Sequence, residues 1–400
     1  MVPELLAPAG NWASLRAAVD AGADAVYLGL NEMNLRANAG NFEESELMKV
    51  VEFCHGKNVK VYLTLNSIVF DDEAKKIDRI FSLVKTSKVD AIIAWDLMVI
   101  QKAIAVGIPV HVSTQASVAN IDAVHFFEKL GVKRINLARE CSLKQINAIK
   151  KKVSVEIECF AHGAMCVSIS GRCFVSQFLT GHSANRGECI QQCRRTYTVK
   201  DNDTGYELGL ENDRIMSPKD LCTIPILDKI IASGVTTLKI EGRVRPPEYV
   251  KVVTSVYRQA IDAIASDKYT NELKEKLIAD LRTVYSKKFS TGFYLGSPTD
   301  DDWTGVGFSD SVDEKNYAGM VEGYFQKISV AKVRLHKTDL SIGDKIIIIG
   351  ESTGVVMQIV GSLQKNREDI KIAKKGMSVG LKVSAPVHRG DKVFVMRRRK

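Results

Sequence analysis

Short apolar runs alternate with amphipathic helical stretches over residues 1–266. The apolar runs are nearly continuous, which is typical of parallel strands that are covered on both faces. Eight of them have the length of a strand: 4–9, 25–30, 59–65, 90–95, 109–114, 134–138, 155–160 and 237–241. Helical periodicity is clear between them, at 12–21, 43–54, 73–86, 119–130 and 143–151. The chain therefore repeats a strand-then-helix unit.

Eight such units over this length predict a closed (β/α)8 barrel of the TIM type. A doubly wound open sheet is the alternative, but no G-x-G-x-x-G follows the first run. Barrels of this type carry their chemistry at the carboxyl ends of the strands. Polar residues follow the predicted strands at Asn34, Asn38, Asn66, Asp96, Ser113, Thr114, Gln115, Arg139, Glu140, His162, Glu241 and Arg243. Since any one of these can cap a helix, the prediction rests on their joint placement.

The character of the chain changes after residue 266. A charged helical stretch at 267–286 leads to an Asp-rich linker at 299–314. Short apolar runs at 331–335, 345–349, 354–359, 369–372, 379–383 and 392–396, separated by Gly-Asp turns, then predict a small all-β barrel at 315–400. Its G-D-K-I-I-I-I-G and H-R-G-D-K-V-F-V-M segments resemble the second domain of translation elongation factors. That resemblance implies contact with tRNA or ribosomal material.

The long connection at 159–216 holds cysteines with the spacing of a metal centre. Cys166, Cys173, Cys189 and Cys193 read C-x6-C-x15-C-x3-C in a loop rich in Gly, Ser and Arg. Four thiolates select zinc or an iron-sulfur cluster. Structural zinc prefers two tight C-x2-4-C pairs, and only the last pair comes close, which favours the cluster; zinc and disulfides remain alternatives.

Three of the other cysteines fit the interior. Cys54 and Cys141 stand in apolar contexts and are predicted to be buried. Ser217 and Pro218 have the pattern of a helix N-cap and first turn. Cys222 then lies inside the predicted helix, either buried or as a further thiol near the cluster.

Charge and hydropathy bear on partners and compartment. The net charge is +9 and the chain ends in Arg397-Arg398-Arg399-Lys400, a balance that favours polyanions such as RNA. No apolar run is long enough for a membrane span, and no basic segment precedes an apolar one at the N-terminus. We therefore expect a cytoplasmic protein.

Several motifs together resemble the collagenase-like peptidase family. They are E-L-L-A-P-A-G-N at 4–11, A-D-A-V-Y-L-G-L at 23–30, Q-A-S at 115–117, the cysteine block from 158, N-R-G-E-C-I-Q-Q-C-R-R at 185–195, S-P-K-D-L at 217–221 and L-K-I-E-G-R at 238–243. Members of this family include proteins that hydroxylate the wobble uridine of tRNA or a base of ribosomal RNA, and ubiquinone ring hydroxylation proteins. The intact C-x3-C-R-R and the extra C-terminal barrel favour the RNA branch.

The resemblance implies a cofactor and a co-substrate. It implies a [4Fe-4S] cluster on Cys166, Cys173, Cys189 and Cys193, dependence on prephenate, and an RNA partner, most simply tRNA. The candidate catalytic residues are Glu241, Arg243, His162, Arg139 and Glu140. The candidate substrate-binding residues are Asn66, Gln115, Arg172, Arg194 and Arg195.

Two other functions stay open. A peptidase needs an activated nucleophile or an open zinc site, yet H-E-x-x-H is missing from the sequence. The best Cys/His pair, His162 with Cys166, uses a cysteine that the cluster also needs. The third hypothesis is a non-catalytic iron-sulfur or RNA-binding subunit that works with a paralogous partner protein.

Overall fold

The computed structural model describes residues 2–37, 39–208, 216–305 and 309–399. The strands of its first part, numbered along the chain, are β1 (Glu4–Pro8), β2 (Ala25–Leu28), β3 (Lys60–Leu65), β4 (Ala91–Ala94), β5 (Val110–Val112), β6 (Arg134–Asn136), β7 (Glu156–Gly163), β8 (Val199–Lys200), β9 (Glu207–Leu208), β10 (Asp220–Cys222), β11 (Thr237–Ile240) and β12 (Phe289–Ser290). The helices are α1 (Trp12–Asp20), α2 (Leu47–His55), α3 (Ala74–Thr86), α4 (Leu97–Ala105), α5 (Ile121–Leu130), α6 (Leu143–Lys150), α7 (Val175–Thr180), α8 (Leu227–Ala232), α9 (Pro247–Ala265) and α10 (Asn271–Leu281).

Strands β1 to β7 and β11 form a closed parallel barrel. Each of β1 to β6 pairs with the next in parallel, and β11 pairs in parallel with both β1 and β7. Most strand residues are buried on both faces, as in Ala91–Ala94 and Thr237–Ile240. The predicted (β/α)8 barrel is confirmed, and the open doubly wound sheet is wrong.

Several of the helices between the strands start at side-chain caps. Asn11 accepts a hydrogen bond from the Ser14 amide (2.8 Å) at the start of α1, and Asp96 accepts one from the Met98 amide (3.0 Å) at the start of α4. Asp96 therefore caps a helix, as expected of many residues at strand ends. Asn38 lies outside the described residues.

The chain after the cysteine loop forms a strand where a helix is predicted. Strand β10 pairs antiparallel with β7, so that Cys222 lies opposite His162, and parallel with β12. The helix predicted from Ser217 is therefore wrong, and Cys222 lies on a buried strand. The Ser-Pro pattern of a helix start does not decide the structure here, because β10 finds a strand partner on each side, β7 on one and β12 on the other.

The second part is an antiparallel all-β domain, as predicted. Its strands are β13 (Asp313–Phe325), β14 (Val330–Leu335), β15 (Leu340–Ser341), β16 (Lys345–Gly350), β17 (Gly354–Ile359), β18 (Leu363–Lys365), β19 (Glu368–Asp369), β20 (Ile372–Ala373), β21 (Ser378–Lys382) and β22 (Lys392–Arg398). The main sheet has the order β17-β16-β22-β13-β14-β21-β18-β19. Its central strand β13 is absent from the predicted strands.

The two parts share a small contact surface. Ala17 of α1 packs against Ile347 and Val355 of the second domain, and Arg16 donates a hydrogen bond from Nε to the Glu351 carbonyl oxygen (2.9 Å). Lys315 pairs with Glu248 of α9. Among the described residues, no helix is both long and apolar enough to cross a membrane.

Candidate active site at the barrel mouth

The carboxyl ends of the barrel strands surround a polar cavity. It encloses about 460 Å³ between atoms, part of it open to solvent. Its walls come from six of the eight barrel strands or the turns after them, and from the cysteine loop: Tyr27, Leu35, Arg36, Thr64, Asn66, Ser113, Thr114, Gln115, Asn136, Phe160, Ser170, Lys239, Glu241 and Arg243. Asn66, Gln115, Glu241 and Arg243, all predicted site residues, therefore share one cavity.

Glu241 is the carboxylate of this mouth, and arginines hold it ionised. Arg36 donates from Nη2 to Glu241 Oε1 at 3.0 Å. Burial raises the pKa of Glu241, but Arg36 and Arg139 outweigh that effect and leave it below its usual value. Glu241 is thus an anion at neutral pH and suits a hydrogen-bond or proton acceptor better than a proton donor.

Arg243 lies deeper and is almost fully buried, at 4% exposure. Its Nη1 donates to Thr64 Oγ1 (2.5 Å), and its Nη2 donates to the side-chain oxygens of Asn34 and Asn41. Burial lowers the pKa of Arg243 to about 10. The guanidinium therefore ties the turn after β2 to β3.

Asn66, Gln115 and Arg172 form a connected polar chain on the opposite wall. Asn66 donates from Nδ2 to Gln115 Oε1 (3.2 Å), and Gln115 donates from Nε2 to the Asn66 carbonyl oxygen (2.6 Å). Arg172 donates to the Gln115 carbonyl oxygen (3.2 Å), and its guanidinium lies 5.3 Å from the centre of the Trp95 ring. Three predicted substrate-binding residues are thus in mutual contact. Gln115, Trp95 and Arg172 also line an open groove beside the mouth.

The cysteine loop is fastened to the same face of the barrel. Arg186 binds Glu73 through two hydrogen bonds of 2.8 and 2.6 Å, and also donates to the Ile68 carbonyl oxygen (2.9 Å). Asn185 accepts from the Cys173 amide at 2.9 Å. Gly187 lies so close to the turn after β2 that a Cβ would overlap the backbone of Asn34. The loop therefore covers one side of the mouth.

The four predicted ligand cysteines are free thiols. Burial raises the pKa of Cys193, Arg194 lowers it, and Cys166, Cys189 and Cys173 raise it further. Arg139 donates to the Ala164 carbonyl oxygen (3.0 Å) and contacts the Met165 sulfur (3.7 Å), so the residues just before Cys166 lie beside the mouth. Among the described residues, no three His, Cys, Asp or Glu side chains are arranged at metal-binding distances.

His162 and Cys222 lie away from the mouth. His162 is buried between the rings of Tyr249, Tyr257 and Phe289, and burial lowers its pKa to about 3. Cys222 is buried opposite it, and burial raises its pKa to about 11.

The remaining predicted residues have separate surroundings. Arg139 lies beside the mouth, where its Nη1 donates to the Ala164 carbonyl oxygen (3.0 Å). Arg194 donates to Ser217 Oγ (3.0 Å) and to the Pro218 carbonyl oxygen (2.7 Å), so it fixes the loop from within. Glu140 and Arg195 are exposed.

Several mouth residues are missing from the predicted set, among them Arg36, Thr64 and Lys239. Arg36 follows β2, and Thr64 and Lys239 lie inside strands β3 and β11. A polar residue within an apolar strand run is the signal that would have identified Thr64 and Lys239, because such a residue faces the barrel interior. Lys239 donates to Glu158 Oε1 at 2.8 Å beneath the cavity.

The fold and the site define a (β/α)8-barrel protein with a polar mouth beside a four-cysteine loop. The model of peptidase family U32 matches residues 10–304, and the chain belongs to that family. It is 41% identical to an uncharacterized protease of Methanocaldococcus jannaschii, over 98% of this chain and 98% of the relative. It is 38% identical to a collagenase of Porphyromonas gingivalis, over 98% and 97%. It is 39% identical to tRNA hydroxylation protein P1 of Bacillus subtilis, over 74% of this chain and 72% of the relative.

Proposed function

We propose that this protein is an iron-sulfur enzyme that hydroxylates RNA, with position 5 of the wobble uridine of tRNA as its target. The observation that carries the proposal is that the cysteine loop lies at the polar mouth, where Ser170 lines the cavity and Arg139 contacts Ala164 and Met165, just before Cys166. A centre on the four cysteines would therefore adjoin the polar mouth. The similarity to tRNA hydroxylation protein P1 extends over 74% of this chain and supports the choice of substrate.

The donor set fits an iron-sulfur cluster better than a hard cation. Four free thiols in one loop supply soft ligands. Cys166, Cys173, Cys189 and Cys193 would hold the cluster, and it would supply electron transfer when bound. Zinc on the same thiols is the alternative.

The residues of the chain provide separate contacts for a base and its backbone. The open groove at Trp95 and Arg172 offers an aromatic face and a guanidinium, which suit an unstacked base. Phe174 and Phe178 of the loop, at 60% and 87% exposure, are further aromatic rings open to a base. Ionised Glu241 would accept a hydrogen bond or a proton at the mouth.

Partners and co-substrate complete the proposal. Prephenate as co-substrate and a paralogous partner protein rest on the family resemblance alone. For the RNA contact, the second domain offers exposed cations on the segment from β18 to β20, at Lys365, Arg367, Lys371, Lys374 and Lys375. Such a group can bind phosphates without reading sequence.

The first experiment purifies the chain without oxygen and measures iron, zinc, sulfide and the visible spectrum. About four irons and four sulfides per chain are expected for the cluster. The gene is then expressed in a bacterium that lacks its own tRNA hydroxylation genes, and 5-hydroxyuridine in tRNA is measured by mass spectrometry. Cys173→Ser should lose both signals, whereas Cys54→Ser, a buried cysteine on α2, should keep both.

Peptidase activity is the second candidate because a full-length relative is named a collagenase. Release of peptides from collagen by the purified protein would support it. A tRNA without 5-hydroxyuridine, together with stoichiometric zinc and no sulfide, would contradict the proposed hydroxylation.

A further inference from the structure

Two side-chain amides lie where the polar mouth meets the open groove. Asn66 and Gln115 both line the mouth cavity, and Gln115 also lines the groove that holds Trp95 and Arg172. Gln115 is almost fully buried, at 1% exposure. A base that is stacked in the groove, with its reacting edge towards the mouth, would therefore lie beside Gln115.

Backbone groups fix which way each amide points. The Asn66 carbonyl oxygen can only accept, so the Gln115 atom 2.6 Å from it is the nitrogen Nε2. The Leu35 backbone amide can only donate, so the Asn66 atom 3.2 Å from it is the oxygen Oδ1. The two orientations agree with each other, because Asn66 Nδ2 then donates to Gln115 Oε1 at 3.2 Å.

The oxygen of Gln115 is fully occupied, whereas its nitrogen keeps one hydrogen. Gln115 Oε1 accepts from Asn66 Nδ2 and from Ser113 Oγ, which uses both of its lone pairs. Gln115 Nε2 carries two hydrogens, and within the described part of the chain it donates only to the Asn66 carbonyl oxygen. The side chain of Gln115 therefore has a donor to offer and no acceptor.

Uracil and cytosine differ at the ring position next to the one that is hydroxylated. In uracil, C4 carries an oxygen that accepts hydrogen bonds, and in cytosine it carries an amino group that donates them. Because C4 neighbours C5, a protein group at the edge of the mouth meets the C4 substituent when C5 faces the mouth. The acceptor O2, which both bases share, lies opposite C5 on the ring and faces away.

We propose that Gln115 selects uridine over cytidine by donating its remaining Nε2 hydrogen to O4 of the target base. A cytosine amino group in the same place would bring two donors together and leave a buried N–H without an acceptor, which is costly. Asn66 and Ser113 are positioning residues, since they hold the oxygen of Gln115 away from the base. The inference rests on the proposed function in taking a pyrimidine of RNA as the substrate.

The test measures binding of anticodon stem-loops to the full-length protein, purified without oxygen, at constant ionic strength. Three RNAs differ only in the wobble base, which is uracil, cytosine or 2-pyrimidinone, a base with hydrogen in place of O4. The uracil loop should bind about tenfold more tightly than either of the others. This comparison uses the unaltered protein, so it decides even if a substitution at the buried amides prevents folding.

A variant reverses the hydrogen-bonding sense of the amide. Gln115→Glu replaces the donor by an acceptor of the same shape, so it should bind the cytosine loop at least as tightly as the uracil loop. The matched control is Gln145→Glu. Gln145 is exposed on α6, where its Oε1 accepts from the Ser142 amide at 2.8 Å, and a glutamate keeps that acceptor. The control should retain the tenfold preference for uracil.

Four results would overturn the inference. They are equal binding of the uracil and cytosine loops, a 2-pyrimidinone loop that binds as tightly as the uracil loop, a preference for uracil that persists in Gln115→Glu, and no saturable binding of any loop. The proposed function is judged separately, by 5-hydroxyuridine in tRNA. It stands if that nucleoside still forms, and it falls with the inference if none forms.

Discussion

Three glycines of the cysteine loop differ in what a methyl group would meet, and they test how the loop is held. All have positive φ: Gly171 at 75°, Gly181 at 77° and Gly187 at 98°. A Cβ on Gly181 would meet nothing within 4 Å. On Gly171 it would overlap the flexible Leu35 side chain, and on Gly187 it would overlap the backbone oxygen of Asn34 and approach the Ala37 amide nitrogen at 2.9 Å.

The expected costs follow from these surroundings. Each Gly→Ala change carries the left-handed backbone penalty of about 1–2 kcal/mol. Gly181→Ala should cost only that amount. Gly187→Ala should cost about 1–3 kcal/mol more, because a backbone carbonyl cannot rotate away as a side chain can. Gly171→Ala should lie between the two.

The assay is limited proteolysis of the loop under native conditions, with iron per chain as a second measurement. When opening is fast relative to cleavage, the rate follows the open population. An extra cost of about 2 kcal/mol therefore means roughly thirtyfold faster cleavage in Gly187→Ala than in Gly181→Ala. Equal rates and equal iron in the two variants would show that the loop does not rest on the turn after β2.

Three further predictions concern other parts of the molecule. Cys222→Ser should keep its iron, since that cysteine lies on a buried strand, whereas Cys173→Ser should lose it; elemental analysis of the two variants checks this. Burial holds the pKa of His162 at about 3 in the fold, below its usual value of about 6.5. Between these two pH values the unfolded chain binds one more proton than the folded chain, so the free energy of unfolding should fall by about 1.4 kcal/mol for each pH unit as the pH drops from 6.5 towards 3. In His162→Phe the slope of the free energy of unfolding in urea against pH should be smaller by that amount, and an unchanged slope would refute the assignment. A double-mutant cycle of Arg186→Gln with Glu73→Gln should give a coupling of only about 0.5–1 kcal/mol, because both side chains are partly exposed.

Sequence pattern predicts the barrel well because its strands are buried on both faces. The run predicted at 59–65 is β3 at Lys60–Leu65, and the run at 109–114 is β5 at Val110–Val112. The predictions fail where a strand pairs with a distant segment of the chain, or where charged residues hide the apolar pattern of a strand. Strand β10 depends on β12, far along the chain, and β13 begins with Asp313, Glu314 and Lys315, which hide its strand pattern.

The sequence predicts which residues lie at the mouth better than it predicts what their side chains contact. Strand-end placement finds Glu241, Arg243, Asn66 and Gln115, because a parallel barrel brings all carboxyl ends together. It also selects His162, which follows β7 in the prediction but lies on that strand, since the strand continues to Gly163. The register shift between β11 and β7 near this residue is not readable from local pattern.

The barrel interior explains why Glu241 is the carboxylate to consider for chemistry. Glu158 also lies inside the barrel, but its side chain is only 2% exposed. Lys239 binds Glu158 at 2.8 Å, and Arg134 lies 3.7 Å from it. Glu241 keeps 15% exposure and pairs with Arg36, itself 28% exposed. A carboxylate that is held ionised and still reaches the cavity can accept a proton from a bound molecule, whereas Glu158 is enclosed by its partners and acts as their counter-ion.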